Sequence, residues 1–340
     1  MSAPGFAQQL PPRRRVETGA WVSGLAYDRG GRTLGVAGGD GRIRRFDATS
    51  DAAPVSPEPA HKGVALSIVA DPAGDGFISG GDDGRLLRHA DAIQEIETVK
   101  GRWLERLAAH AKSGTFAVVA GREVIVHGPA GRRVLGPHPS TVADIDFSPD
   151  GSRLVAAHYG GVTIHVLRPA DAQPRKLEWK GSHVAVAYSP DSKFIATGTQ
   201  DNALHVWRLA TGKDMQMSGY PVKVKQLAWS HDARFLFGTA TSLFTGWPFA
   251  GKGPEGKPPV QFGDEGAGIM TAIVSHPADS FIAAGFDTGE VQLGDSKTRR
   301  SAVVKLAGDG QVSALAWSPG GWSLAVGTDQ GVVEMIDLRR

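Results

Sequence analysis

The chain has 340 residues, with 37 basic and 35 acidic side chains, a formal net charge of +2 and no cysteine. This near balance of charge favours neither nucleic acid nor an acidic membrane surface as a partner. The lack of cysteine excludes disulfides, thiolate metal sites and cysteine nucleophiles, and it fits the reducing cytoplasm.

Other features of the composition also favour a cytoplasmic protein. No apolar run approaches the roughly 18 residues of a membrane span. Residues 1–15 lack the apolar core of a secretory signal. The abundance of Ala, Gly and Arg suggests a bacterial source.

The chain begins with residues 1–12, whose prolines and glycine predict a flexible N-terminal tail. Residues 13–18 follow as a lone strand, and we expect residues 13–340 to form one domain. From residue 20 onward the chain repeats a unit of three short strands joined by two tight turns. These repeats cover residues 20–50, 63–91, 103–128, 141–168, 183–209, 224–249, 269–295 and 311–338.

The spacing of the repeats decides the fold class. Measured at the first turn, successive repeats lie 38 to 45 residues apart; the turn residues are Asp28, Asp71, His110, Ser148, Ser189, Ser230, Ser275 and Ser318. A period of about 40 to 45 residues is the signature of a β-propeller blade of four strands. The sequence therefore predicts an all-β, eight-bladed propeller. Because the third repeat is the weakest, seven blades is the alternative.

The last repeat ends at Leu338 and has no fourth strand of its own. We expect residues 13–18 to supply that strand, which closes the ring and removes two exposed strand edges. The arginines at 13–15 are then interpreted as solvent-facing residues of the closing strand, in preference to a nucleic-acid-binding arm.

The ends of the third strands carry a family resemblance. Trp207-Arg208 and Trp247-Pro248 have the Trp of a Trp-Asp pair, and Phe46-Asp47 and Ile336-Asp337 have the Asp. With these residues and the repeat period, nearly the whole chain resembles the WD-repeat (WD40-like) β-propeller family. The repeats are degenerate, because the complete Trp-Asp dipeptide does not occur, and we expect a stand-alone bacterial member.

The resemblance implies a buried hydrogen-bond network in each repeat. In this family it joins a His before the first strand, a Ser or Thr on the second, an Asp in the second turn and the Trp. His89 stands in the Trp place of the second repeat, the fifth repeat lacks the His, and the fourth lacks the turn Asp. The matching positions are His61, Ser79 and Asp83 in the second repeat, His138 in the fourth, and Thr197, Asp201 and Trp207 in the fifth.

The sequence offers little for catalysis. Its 11 histidines form no metal-ligand spacing, and no nucleophile elbow, Walker loop or dinucleotide fingerprint occurs. The aspartates of the second turns are explained by turn formation. We therefore expect no enzyme, no cofactor and no metal. The alternatives are a hydrolase- or lactonase-like propeller with a site at the channel mouth, and a nucleic-acid-associated propeller.

The aromatic residues favour binding instead. Trp21 and Trp103 each lie seven residues before the first-turn residue of their repeat, a position that lines the binding face in WD-repeat proteins. Exposed Trp and Tyr are typical anchors for partners, although packing between blades is the alternative. We expect a scaffold or adaptor that binds a protein partner on the loop face around the channel. The candidate partner-binding residues are Trp21, Trp103, Tyr159, Phe286, Lys223 and Gln311.

Overall fold

A computed structural model describes residues 10–50, 55, 58–169, 172–251, 253–264 and 267–339. Residues 1–9 of the expected N-terminal tail lie outside the described residues. The described part of the chain consists of β-strands with one short 3₁₀ helix, Ala111–Ser113. Arg13–Glu17 is the first strand, β1.

The remaining strands are those of the predicted repeats, together with fourth strands that follow several of the repeats and are grouped with them here. The first three repeats contain β2 (Val22–Tyr27), β3 (Thr33–Gly38), β4 (Ile43–Asp47), β5 (Ala65–Ala70), β6 (Phe77–Gly81), β7 (Arg85–His89), β8 (Ile93–Thr98), β9 (Leu107–His110), β10 (Thr115–Ala120), β11 (Glu123–Gly128) and β12 (Gly131–Leu135). The fourth and fifth contain β13 (Asp144–Phe147), β14 (Arg153–Val166), β15 (Arg175–Tyr188), β16 (Phe194–Thr199), β17 (Leu204–Arg208) and β18 (Asp214–Met217). The last three contain β19 (Leu227–Trp229), β20 (Phe235–Gly238), β21 (Phe244–Pro248), β22 (Val260–Phe262), β23 (Met270–Ser275), β24 (Phe281–Phe286), β25 (Val291–Asp295), β26 (Arg300–Lys305), β27 (Val312–Trp317), β28 (Ser323–Thr328) and β29 (Val332–Asp337).

These strands form antiparallel meanders, which confirms the all-β propeller. Among the described residues the hydrogen bonds divide them into seven sheets: β2–β4, β5–β8, β9–β12, β13–β18, β19–β22, β23–β26, and β27–β29 with β1. Seven sheets correspond to the alternative of seven blades and not to the expected eight.

The difference arises in the sheet of six strands, which contains the fourth and fifth repeats. Its strands β14 and β15 have 14 residues each and continue from one strand position into the next. Tyr159 pairs with Ser182 where these long strands meet. Continuous strands therefore join two repeats into one hydrogen-bonded sheet.

Ring closure by the N-terminal strand is confirmed. β1 pairs antiparallel with β29 from Arg13, opposite Ile336, to Glu17, opposite Val332. The backbone N–H of Asp337 also donates to the carbonyl of Pro12 at 2.8 Å. On the same strand the Arg15 guanidinium forms a 3.0 Å ion pair with Asp309. The arginines of this strand thus take part in the closing blade.

The core lies between neighbouring repeats. One buried cluster combines Val22 and Phe46 of the first repeat with Ala316 and Val333 of the last, so apolar packing also crosses the closure point. Small residues on the second strands permit this close approach. A Cβ atom placed on Gly35 would lie only 2.9 Å from Ile68 and Phe77 in the next repeat.

The turn between the first two strands sets the alignment of the repeats. In the eighth repeat the N–H of Ser318 donates to the carbonyl of Ser323 at 2.8 Å. The equivalent bond of the seventh repeat runs from His276 to Phe281, also at 2.8 Å. The turn residue of the seventh repeat is therefore His276 and not Ser275. The position equivalent to Trp21 and Trp103, seven residues before the turn residue, is then Ile269.

Candidate functional site

Most of the candidate anchors are exposed on the face made by the second turns and the loops before the first strands. Trp21 is 44% exposed, Trp103 66% and Tyr159 55%. Phe286 contradicts the prediction, because it is 0% exposed. It ends β24 and packs into a cluster with Phe244 and Met270, so it is not available to a partner.

Two cavities open at the channel mouth on this face. The larger, about 590 Å³, is lined by Trp21, Lys223 and Gln311 among others. The second, about 510 Å³, is lined by Tyr159 and also by Lys223. The structure thus brings four predicted partner-binding residues to one connected mouth, while Trp103 lines neither cavity.

Sequence analysis missed three charged residues that line both cavities: Glu105, Arg106 and Lys225. Glu105 and Lys225 occupy one repeat position, five residues before His110 and Ser230, so the period could have located them. Arg106 lies 3.9 Å from the carboxylate of Asp144. The described residues place no carboxylate within 4.0 Å of the Lys223 or Lys225 ammonium groups. The mouth therefore presents the ammonium groups of Lys223 and Lys225, together with the carboxylate of Glu105, beside aromatic side chains.

The network predicted for the second repeat is present and complete. Nδ1 of His61 lies 3.0 Å from Asp83, and its Nε2 lies 2.8 Å from the Ser79 hydroxyl. Nε2 of His89 lies 2.7 Å from the same hydroxyl. His89 therefore replaces the Trp of the family pattern because both rings offer an N–H donor.

The protons of this network have one consistent arrangement. His89 donates to Ser79, Ser79 donates to His61, and His61 donates to the Asp83 carboxylate. Desolvation lowers the pKa of His61, and desolvation lowers that of His89 to about 3. The pKa of Asp83 is also low: desolvation opposes this, but the Lys62 N–H and His61 stabilise the carboxylate. Neutral rings and an ionised carboxylate are the forms that this arrangement needs.

The fifth repeat does contain a histidine, which sequence analysis missed. Nδ1 of His183 lies 2.8 Å from the Thr197 hydroxyl, and its Nε2 lies 3.2 Å from the carbonyl of Trp179. The His183 ring also lies 5.5 Å from that of Trp207, which is buried as expected. Asp201 is exposed at its turn, so both nitrogens of His183 are bonded without it. His183 lies six residues before Ser189, whereas His61 and His138 lie ten residues before Asp71 and Ser148, so the repeat period did not locate it.

His138 departs from the predicted network. Its Nδ1 lies 2.8 Å from the carbonyl of Arg122, and its Nε2 lies 2.9 Å from Nε2 of His165. The partner is thus a second histidine rather than a Ser or Thr hydroxyl. In the part of the chain that the structure describes, no group of three or more His, Asp or Glu side chains is placed to hold a metal ion.

Comparisons with known proteins agree with this architecture. A family model described as "WD domain, G-beta repeat" matches residues 132–163 and 175–208, in the fourth and fifth repeats. The crystal structure of the computationally designed Ika8 protein is similar with a TM-score of 0.74 and 17% identity, covering 94% of this chain and 97% of that chain. At that identity the likeness shows the fold alone.

Curated relatives align with only part of this chain, and this chain covers only part of each relative. "Protein ANTHESIS POMOTING FACTOR 1" of Arabidopsis thaliana is 26% identical over 57% of this chain and 63% of its own length. The "Guanine nucleotide-binding protein subunit beta" of Saccharomyces cerevisiae is 22% identical over 61% of this chain and 51% of its own. The chain thus spans about half to two thirds of these relatives. No helix among the described residues has the length and apolarity needed to cross a membrane. The family match and the relatives together support a WD-repeat β-propeller.

Proposed function

We propose that this protein is a non-catalytic interaction platform, a scaffold or adaptor that holds a protein partner at the channel mouth. The observation that carries the proposal is the exposure of Trp21 and Tyr159 beside cavities that Lys223 and Lys225 also line. Exposed aromatic side chains are typical anchors of protein interfaces, and polar or charged groups surround them at the rim.

The printed names of the relatives support such a role. One is a subunit of a guanine nucleotide-binding protein, and another, from Pyricularia oryzae, is a subunit of a translation initiation factor. Both names describe parts of larger assemblies. The regular strand framework supports the same role, because a rigid scaffold presents loop residues in fixed positions.

Two finer features belong to the proposal. The protein works in the cytoplasm, which the absence of cysteine supports. The source is bacterial; the relatives named above are eukaryotic, so the support is the composition of the chain.

The proposal is tested by affinity capture of partners from the native cell, followed by mass spectrometry. Trp21→Ala and Tyr159→Ala remove anchors at the mouth, whereas Trp322→Ala is the matched control. Trp322 is 63% exposed but lies in a turn between the first two strands, on the opposite face. We expect the control to capture the same partner as the unaltered protein.

Loss of one buried anchor costs about 2 kcal/mol, which weakens binding roughly thirtyfold. Partner recovery should therefore fall sharply for Trp21→Ala and Tyr159→Ala while their melting temperatures stay close to that of the unaltered protein. Equal loss of the partner with Trp322→Ala would place binding on the other face and contradict the proposal.

A further inference from the structure

A second candidate site lies away from the channel, between the outer strands of the third and fourth repeats. It is an open cleft of about 500 Å³. Its walls come from β12, the loop 136–139 and parts of β14 and β15. Prolines 137, 139 and 174 are among the apolar residues that line it. Nothing in the channel-mouth site involves these residues.

The cleft is rich in positive charge. Arg122, Arg133 and Lys176 line it, and no carboxylate does so among the described residues. The charge affects the two histidines at the cleft. The pKa of His138 is lowered, first by desolvation and also by Arg122 and Lys176. That of His165 is lowered to about 4 by desolvation, by His138 and by Arg133.

The two guanidinium groups are held in place. Nε of Arg122 donates to the carbonyl of His138 at 2.7 Å, and the N–H of His138 donates back to the carbonyl of Arg122 at 2.8 Å. Arg133 donates through Nη1 to the carbonyl of Val166 at 3.1 Å. Each of these bonds uses one of the five N–H donors of a guanidinium. Anchored cations with further donors are suited to bind a multiply charged oxyanion.

The pKa values of His138 and His165 depend on the charge in the cleft and can therefore report the binding of an anion. The carbonyl of Arg122 can only accept, so Nδ1 of His138 carries a proton and its Nε2 accepts from Nε2–H of His165. The lowered pKa values of both rings favour this neutral form of the pair. A negative charge placed nearby stabilises the protonated form of an imidazole and raises its pKa.

We infer that this cleft binds a phosphate group, held by the guanidinium groups of Arg122 and Arg133 and by the ammonium of Lys176. Two guanidinium forks and an ammonium together match the several oxygens and the double charge of phosphate. The group comes either as free phosphate or as part of a phosphorylated protein segment.

The test uses the full chain, with inorganic phosphate and a phosphoserine peptide as separate probes, at low ionic strength. Binding is followed by calorimetry and by NMR titration of the His138 and His165 rings. We expect saturable binding and an upward shift of both histidine pKa values when phosphate is present. Tighter binding of the peptide would assign the group to a modified protein, and equal binding would assign it to the free anion.

Lys176→Ala and Lys180→Ala form a matched pair, because both lysines are exposed on β15 and only Lys176 lines the cleft. Loss of one charge-assisted hydrogen bond should weaken phosphate binding about tenfold in Lys176→Ala. Lys180→Ala should bind as the unaltered protein does. The inference is overturned if neither probe binds saturably, or if both variants lose binding equally.

Discussion

In the second repeat, a chain of hydrogen bonds runs from His89 through Ser79 and His61 and ends on the carboxylate of Asp83. In the fifth repeat, His183 bonds to Thr197 and to a backbone carbonyl, while the turn aspartate is exposed. Both arrangements join a hydroxyl of the second strand to a histidine, which precedes the first strand in the second repeat and lies on β15 in the fifth. They differ in the acceptor at the end of the chain.

This difference shows which part of the network a propeller blade requires. A buried histidine needs a partner for each ring nitrogen, but that partner need not be a carboxylate. Where the carboxylate takes part, removing the histidine also removes one of the hydrogen bonds that stabilise a charged group. Substitution of the histidine should therefore lower the unfolding free energy more in the second repeat than in the fifth, although the fifth repeat has the Trp of the family pattern.

The largest effect is expected from His61→Ala. It removes the hydrogen bonds to both Asp83 and Ser79, and unsatisfied buried groups should cost about 3 kcal/mol of unfolding free energy. His183→Ala should cost about 1 kcal/mol less, because no carboxylate loses a hydrogen bond in this variant. Urea unfolding measures both. His231→Ala, an exposed histidine in a turn, should leave the midpoint unchanged. Equal losses at His61 and His183 would remove the distinction between the repeats.

A smaller effect separates the two aspartates. Asp83→Asn keeps an acceptor for His61 but loses its charge, which should cost about 1 kcal/mol. Asp201→Asn alters an exposed turn residue and should stay within about 0.5 kcal/mol of the unaltered protein. The same urea titration compares them. A cost at Asp201 as large as that at Asp83 would show that the fifth repeat depends on its carboxylate after all.

A further effect, common to both repeats, is a loss of stability in acid. Desolvation lowers the pKa of His89 in the second repeat to about 3, and that of His205 in the fifth to about 4. Because the unfolded rings titrate at the ordinary value of 6.5, their contribution is complete above that pH. The contribution of His205 is lost as pH falls towards 4, and that of His89 as pH falls towards 3. The urea midpoint should decline between about pH 7 and pH 5, and less steeply in His89→Phe and His205→Phe.

Asp146 provides a control, because its contribution to stability changes with pH in the opposite direction to that of the histidines. Desolvation raises its pKa from 3.8 to about 7, so its contribution is complete below 3.8 and is lost as pH rises through 7. In the unaltered protein it therefore offsets part of the acid loss. Asp146→Asn should steepen the decline between pH 7 and pH 5. A shallower decline in this variant would mean that the carboxyl is ionised at lower pH than proposed.

Local patterns in the sequence were enough to determine the repeat period, most of the strands and the closing role predicted for residues 13–18. These follow from spacing and from turn chemistry, which act over a few residues and repeat along the chain. The network of the second repeat was also predictable. Its three matching residues stand at family positions, and His89 keeps the N–H donor of the residue that it replaces.

Tertiary structure decided the rest. The burial of Phe286, the pairing of His138 with His165 and the joining of two repeats through β14 and β15 depend on which strands meet. The grouping of Arg122, Arg133 and Lys176 around one cleft likewise depends on residues more than ten positions apart. Side chains from distant segments meet only when the blades pack, and packing between blades leaves no regular spacing in the sequence.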